Sequence, residues 1–229
     1  MATVNQNAAE TFTPECRKCP RLAEFLATTG QKHPAYYAKP VPSFGEERPR
    51  LLIVGLAPGL HGANRTGRPF TGDYAGLLLY RTLHEYGFAS ASQSTSSDDG
   101  LRLIDCRITN AVRCVPPQNK PILQEVKSCN VYLQQELAEL DPASVVLALG
   151  SVAHGSVLRA RELRPVGYPF GHGARHELPG GLTLLDSYHC SRYNTQTKRL
   201  TEDMFRSVFE LARGLIDAQT PDQRAQPVA

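Results

Sequence analysis

The sequence is short of the features that would place it in a specialised class. No stretch of its 229 residues approaches the roughly 20 apolar residues that a membrane-spanning helix needs. Residues 1–15 carry neither a basic start nor an apolar run that would direct export, so the expected compartment is the cytoplasm. Charge of one sign is not in excess: 25 Lys and Arg face 22 Asp and Glu. The net charge of +3 permits contact with a polyanion without demanding it. There is no internal repeat. Disulfides are not expected either, because thiols stay reduced in the cytoplasm, and six cysteines there read as metal ligands or buried hydrophobes.

What is present is an ordinary globular composition, 41% hydrophobic and 21% charged, in a length that buries one good core. One domain over residues 13–217, acting as a monomer, is expected. Residues 1–12 are polar and unpatterned, and residues 218–229 are rich in Pro, Gln and Ala, so both ends read as disordered tails. Against this background residues 55–73 stand out. Five glycines, two prolines, His61, Arg65, Arg68, Phe70 and Asp73 share one long loop behind the apolar run 51–54. A loop of that length in a compact domain is usually functional. Its glycines would let a ligand approach the backbone closely.

Period and punctuation predict strands at 51–54, 102–109, 145–149 and 182–187. They alternate with helices at 74–86, 123–140, 152–161 and about 202–217, after a first helix at 16–27 opened by a Cys-x-x-Cys turn. Leu77, Leu78, Leu79 and Leu83 are expected on the buried side of the 74–86 helix, with Gly87 as its cap. Met204, Phe205, Val208, Phe209, Leu211 and Leu215 are expected to be buried on the last helix. The serine-rich, acidic segment 89–100 reads as a solvated loop. Such alternation implies an α/β fold with a parallel sheet covered on both faces. Ligands bind such sheets beyond the carboxyl ends of the strands. There the 55–73 loop would meet Asn110, the Gly150-Ser151 turn and the loop opened by His189. Arg65, Arg68, Arg107, Arg113, Arg192, Lys198 and Arg199 lie in or beside these loops.

Cys16 and Cys19 have the spacing that lets two thiolates hold one metal centre, and a partner pair must come from elsewhere in the chain. Cys114, beyond the second strand, and Cys129, on the following helix, are the candidates. Four thiolates suit zinc or an iron–sulfur cluster, and spacing does not choose between them. Cys106 reads as a buried hydrophobe and Cys190 as a packing residue.

The chain resembles the uracil-DNA glycosylase superfamily, specifically its iron–sulfur-containing family 5, the B type. The resemblance rests on Gly-Leu-Ala-Pro-Gly59, His61-Gly62, the run from Asn64 to Asp73, the run from Thr109 to Pro121, and the run from His189 to Leu200. It implies a three-layer α/β/α sandwich around a four-stranded parallel sheet, and a 4Fe–4S cluster, chiefly structural, at Cys16, Cys19, Cys114 and Cys129. It also implies excision of uracil, and of other deaminated or modified bases, from DNA in base excision repair.

The base must be flipped into a pocket to be reached. In that chemistry Phe70 would stack on the extruded base, and the Asn110 carboxamide complements uracil O4 and N3–H while clashing with cytosine. His189 would donate to uracil O2 as charge develops on the leaving base. Gly55, Ala57, Gly59, His61 and Asn64 would contact the substrate around them. Many relatives carry an acidic or amide residue where this chain has Leu56. Asp73, the nearest carboxylate, is therefore the candidate to orient water, although it is equally suited to cap the helix that begins at Tyr74. Arg65, Arg68, Ser191, Arg192, Tyr193, Asn194, Lys198 and Arg199 are the expected DNA contacts, the 191–199 loop entering the duplex. Two other classes remain: a DNA-binding module without catalysis, and a nucleotide hydrolase using the glycine-rich loop as a phosphate cradle. The second is weakened because the loop lacks the Gly-Lys-Ser/Thr ending of a P-loop.

Overall fold

The unbroken apolar runs at 51–54 and 145–149 suit strands buried on both faces, and the computed structural model, which describes residues 11–218, folds them so. In chain order the elements are α1 (Pro20–Lys32), β1 (Phe44–Gly45), β2 (Leu51–Gly55), α2 (Ala63–Thr66), α3 (Tyr74–Glu85) and β3 (Cys106–Asn110). They continue as α4 (Leu123–Ala138), β4 (Val145–Leu149), α5 (Ser151–Ala160), β5 (Arg175–Glu177), β6 (Thr183–Ser187), α6 (Arg192–Gln196) and α7 (Glu202–Ala218). The sheet order is β1-β3-β2-β4-β6-β5. The middle four strands are parallel, as expected, with Gly55 level with Asn110 and Leu149 level with Ser187. β1 and β5 add antiparallel edges that the sequence did not announce, one being two residues long and the other polar. Short, charged edge strands discourage pairing with another chain.

Side chains alternate across the sheet, and each face has its own core. Leu51, Ile53, Leu147 and Leu185 pack with Leu79, Leu83, Phe205 and Phe209 of α3 and α7. Leu52, Val54, Val146 and Leu184 pack with Leu133, Leu137, Val157 and Leu158 of α4 and α5. Each fully buried side chain of this kind contributes about 1.5–3 kcal/mol. The three-layer α/β/α architecture is the direct result. A third cluster gathers Leu22, Val112, Val115, Val126 and Tyr132 around Cys16, Cys19, Cys114 and Cys129.

Several local expectations are corrected. α1 starts at Pro20, so the Cys-x-x-Cys turn precedes the helix; proline suits a first helical position and Cys19 is the N-cap. β3 begins at Cys106 because Asp105 has left-handed backbone (φ +54°) and binds the Arg50 backbone and guanidinium. Leu77 and Leu211 are exposed, at 58% and 37%. The 89–100 segment is more than solvated loop, for its Asp99 receives Arg68 at 2.6 Å. Of the expected tails, residues 1–10 and 219–229 lie outside the described residues. Phe12 packs edge-on against Tyr132 at 5.4 Å, and Ala218 closes α7. No described helix is long and apolar enough to cross a membrane.

Candidate active-site cleft

β2 ends at Gly55, and the next loop folds back over the sheet's carboxyl edge. A Cβ on Gly55 would overlap both Asn110 Oδ1 and the Phe70 ring; a Cβ on Gly62 would overlap the Asp73 carboxyl group. The glycines thus let the side chains of Asn110, Phe70 and Asp73 close on the backbone, a more specific role than flexibility. Phe70 itself holds left-handed backbone (φ +54°) and is buried, an unusual state for an aromatic residue that the surrounding loop must enforce.

Beyond it opens a cleft of about 610 Å³. Leu56, Ala57, Gly59, His61, Phe70 and Asp73 line it from the β2 side, Gly150 and Ser151 from the end of β4, and Tyr188, His189, Arg192 and Arg199 from the end of β6. The Phe70 and His189 rings stack at 5.9 Å and 26°. Burial pushes the His189 imidazole down to about 4, so at neutral pH it is uncharged and its N–H is a neutral donor. Asn194 Nδ2 donates to the His189 carbonyl at 2.8 Å and fixes that loop.

Asp73 caps a helix and also borders the cleft. Its Oδ1 accepts the Gly76 N–H at 2.9 Å and caps α3, while the carboxyl group borders the cleft beside Gly59 and Gly62. Burial raises its pKa above the ordinary carboxylate value, against the lowering effect of the Gly76 and Ala75 amides. Asn110 lies beneath the cleft rather than on its lining. It is 3% exposed, and its Oδ1 has no hydrogen-bond partner among the described residues.

Other expected residues are placed differently. Asn64 is fully buried within the loop, where Nδ2 reaches the Leu60 carbonyl at 3.4 Å, and does not face the cleft. Arg68 is corrected from a DNA contact to a buried strut: it pairs with Asp99, bonds Ser94 and the Ser97 carbonyl, and lies 4.3 Å over the Phe44 ring. Arg107 and Arg113 both turn inward to Glu136, at 3.1 and 2.7 Å. Ser191 caps α6 through its hydroxyl. Arg65, Arg192, Tyr193, Lys198 and Arg199 are exposed, with Arg192 over Tyr74 and Arg199 over Tyr188. His61, at the rim, hydrogen-bonds the Tyr36 hydroxyl at 2.8 Å.

The sequence reading missed one wall. Phe170 and Tyr188 line the cleft, and Phe170 meets His154 edge-on at 5.5 Å. His154 joins Asp186 through Nδ1 at 2.8 Å and the Tyr168 carbonyl through Nε2 at 2.9 Å, which anchors the segment carrying Phe170. The signal was available only as a histidine in a helix and an aspartate in an apolar strand, residues that have to be buried with a partner.

Away from the cleft, the four cysteines surround one small cavity, all of them free thiols. Burial and the mutual repulsion of the other sulfurs raise Cys114, and burial lifts Cys129 to about 11. The Arg113 N–H donates to Cys129 Sγ and the Tyr132 hydroxyl to Cys16 Sγ, each at 3.3 Å. A soft four-sulfur set, with donors already aimed at two of the sulfurs, fits a metal centre.

Fold and site together define the class: an α/β/α protein with a cleft at the carboxyl ends of its parallel strands and a separate cluster of four cysteines. The model of the uracil DNA glycosylase superfamily matches residues 42–213. A type-5 uracil-DNA glycosylase of Thermus thermophilus is 48% identical over 205 residues, covering 87% of this chain and 93% of that protein. Similar enzymes named type-5 uracil-DNA glycosylase from Mycobacterium tuberculosis and Pyrobaculum aerophilum are 43% and 37% identical, covering 87% and 89% of this chain and 78% and 89% of theirs. The chain belongs to the uracil DNA glycosylase superfamily, and within it to the type-5 family.

Proposed function

We propose that the protein flips uracil, and other deaminated or modified bases, out of DNA into this cleft and hydrolyses the N-glycosidic bond, leaving an abasic site for base excision repair. The observation that carries the reading is the convergence of a buried aromatic ring, a neutral imidazole and a half-buried carboxyl group on one cleft, as Phe70, His189 and Asp73.

The flipped base stacks on Phe70. Asn110 supplies the discrimination: its unpaired Oδ1 accepts from uracil N3–H and its Nδ2 donates to O4, whereas cytosine presents the reverse pattern. As the bond from C1′ to N1 breaks, its electron pair moves onto the base. His189, already neutral, donates its N–H to the developing charge on O2 without having to lose a proton first. Water attacks C1′. Leu56 is apolar where many relatives carry an acid or amide, so the carboxylate of Asp73 orients that water and takes its proton. Gly55, Ala57, Gly59 and His61 shape the pocket, while Arg65, Arg192, Tyr193, Lys198 and Arg199 face the duplex. The 191–199 loop fills the gap left by the extruded nucleotide.

Cys16, Cys19, Cys114 and Cys129 hold a 4Fe–4S cluster in this reading. When bound, it supplies a rigid cross-link between the turn before α1, the end of β3 and α4. The working unit is one domain, residues 13–217, acting as a monomer in the cytoplasm. The test is direct. Purified protein should release uracil from a duplex with a single U and leave an alkali-labile site; strands that survive alkali intact would overturn the assignment. Chemical analysis should find about four iron and four sulfide per chain. Stoichiometric zinc instead would overturn the cluster and leave the excision chemistry standing.

A further inference from the structure

Asp186 is fully buried in β6, and its side chain bears on one short segment ahead of β5. Its Oδ1 lies 2.8 Å from His154 Nδ1, and its Oδ2 accepts the Gly171 N–H at 3.4 Å. His154 Nε2 lies 2.9 Å from the Tyr168 carbonyl. His176 Nε2 lies 3.1 Å from the Pro169 carbonyl and 3.7 Å from Asp186 Oδ2. The Asp186 carbonyl accepts the Gly173 N–H at 2.8 Å. Side chains from α5, β5 and β6 thus clasp the chain immediately before and after Phe170. His154 and Asp186 are 4% and 0% exposed. A buried pair of ionisable groups adds little stability over apolar packing of the same volume; what it secures is geometry.

What the clasp holds on the cleft is the Phe170 ring, half-buried, edge-on to His154 at 5.5 Å and 6.2 Å from Tyr188. Tyr188 is itself fixed, stacked on His172 at 5.1 Å with the Arg199 guanidinium 4.8 Å over its ring. The wall is therefore rigid and apolar, and it still has surface to cover. Phe70, Asn110 and His189 already account for the face, the pairing edge and O2 of the flipped base. The sugar has no apolar partner among them. We propose that Phe170 is a further substrate-contacting residue: its ring packs on the deoxyribose of the flipped nucleotide and keeps bulk water from it. His154, His176 and Asp186 are the positioning residues that hold the ring in place. An apolar ring suits this sugar, whose C2′ is a methylene with no hydroxyl to satisfy. The inference rests on the glycosylase reading and deepens it.

In single-turnover excision from a duplex with one uracil, Phe170→Ala should lower the rate constant about ten- to fiftyfold, with duplex binding within about twofold. The fold loss should be the same for every base that the parent protein excises. Phe170→Leu, which restores an apolar side chain, should recover most of the rate. The ring is half-buried, so both variants should melt within about 4 °C of the parent. An unchanged rate in Phe170→Ala overturns the proposal, and a loss that differs from base to base overturns the sugar contact. A double-mutant cycle tests the clasp. His154→Gln should slow the parent about fivefold yet leave Phe170→Ala within about twofold, with rates referred to folded protein. Equal losses in both backgrounds overturn the positioning role. If His154→Gln does not fold, His176→Ala makes the same comparison at the more open edge of the clasp, where the side chain is 13% exposed. An active parent with an indifferent Phe170→Ala defeats this inference alone, whereas a parent that releases no uracil defeats the glycosylase reading beneath it.

Discussion

Asn110 and Cys114 stand four residues apart at the end of the same strand, yet their surroundings treat polar atoms in opposite ways. On the cleft side, Asn110 Oδ1 is buried without a partner and His189 is held neutral by burial. In the cysteine corner, the sulfurs of Cys129 and Cys16 already receive an amide and a hydroxyl, and the nearby Glu136 gathers Arg107, Arg113 and Thr109. An unmet buried group costs about 1–3 kcal/mol, so a fold that retains one keeps it for a ligand that comes and goes. A met group serves something resident. Asn64 Oδ1 marks the boundary of the rule: it too is unmet and, like Asn110, stands off the cleft's lining, but unlike Asn110 it does not reach the Gly55 strand end.

The contrast separates variants into those that lose chemistry and those that lose stability. The largest effect is expected at Asp73. Asn caps a helix as well as Asp does, so Asp73→Asn should lower uracil release about 10²–10⁴-fold with little change in the melting midpoint. Asp73→Ala should lose the same activity and about 1 kcal/mol of stability besides, measured by denaturant titration. If Asp73→Asn remained active, the carboxyl group would be a cap and nothing more.

His189→Ala should reduce the single-turnover rate about 10²–10³-fold while leaving uracil-DNA binding close to that of the parent protein. Arg68→Ala should do the reverse. It leaves Asp99 to its backbone N–H donors alone, where the guanidinium and those amides together hold the carboxyl group well below the usual range against burial, and should cost about 1–3 kcal/mol of stability while the residual folded protein keeps its rate. A loss of rate in excess of the folded fraction would return Arg68 to the DNA-contacting set.

The smallest effect is in the pH dependence. A histidine with depressed folded pKa contributes stability that is complete above 6.5 and is lost as pH falls toward about 4, because the unfolded chain takes the proton first. Parent and His189→Ala stabilities, compared by denaturant titration at stepped pH, should therefore diverge in that window. The Asp73 carboxyl group, raised by burial, works with the opposite sign, and the comparison cancels it because both proteins retain it. Between pH 6 and 8 the parent's excision rate should show no ionisation of His189.

Much of the site was legible because its residues occupy strand ends. An unbroken apolar run such as 145–149 admits one reading, and the residues just after it must sit at the carboxyl edge. Phe70, Asp73 and His189 were picked out because their loops leave strand ends, and the four cysteines by their spacing and the family resemblance. Arg68 and Asn64 were misread because composition cannot tell an arginine that faces a phosphate from one that meets an aspartate about thirty residues away. The β1 and β5 edges were missed because two or three residues carry no period. Leu77 was misplaced because three consecutive leucines on a helix cannot all point inward.

By itself the sequence determined the alternation of strands and helices, the sheet edge on which polar residues gather, and the family, all of them properties of pattern along the chain. Only the tertiary structure decided which of those polar atoms are satisfied. That depends on partners distant in sequence: Asp99 for Arg68, Asp186 for His154, and for Asn110 Oδ1 none among the described residues. A partner makes a buried polar atom a strut, as with Arg68 and His154, because the partner offsets the cost of burial, whereas an unmet atom keeps its bonding capacity open.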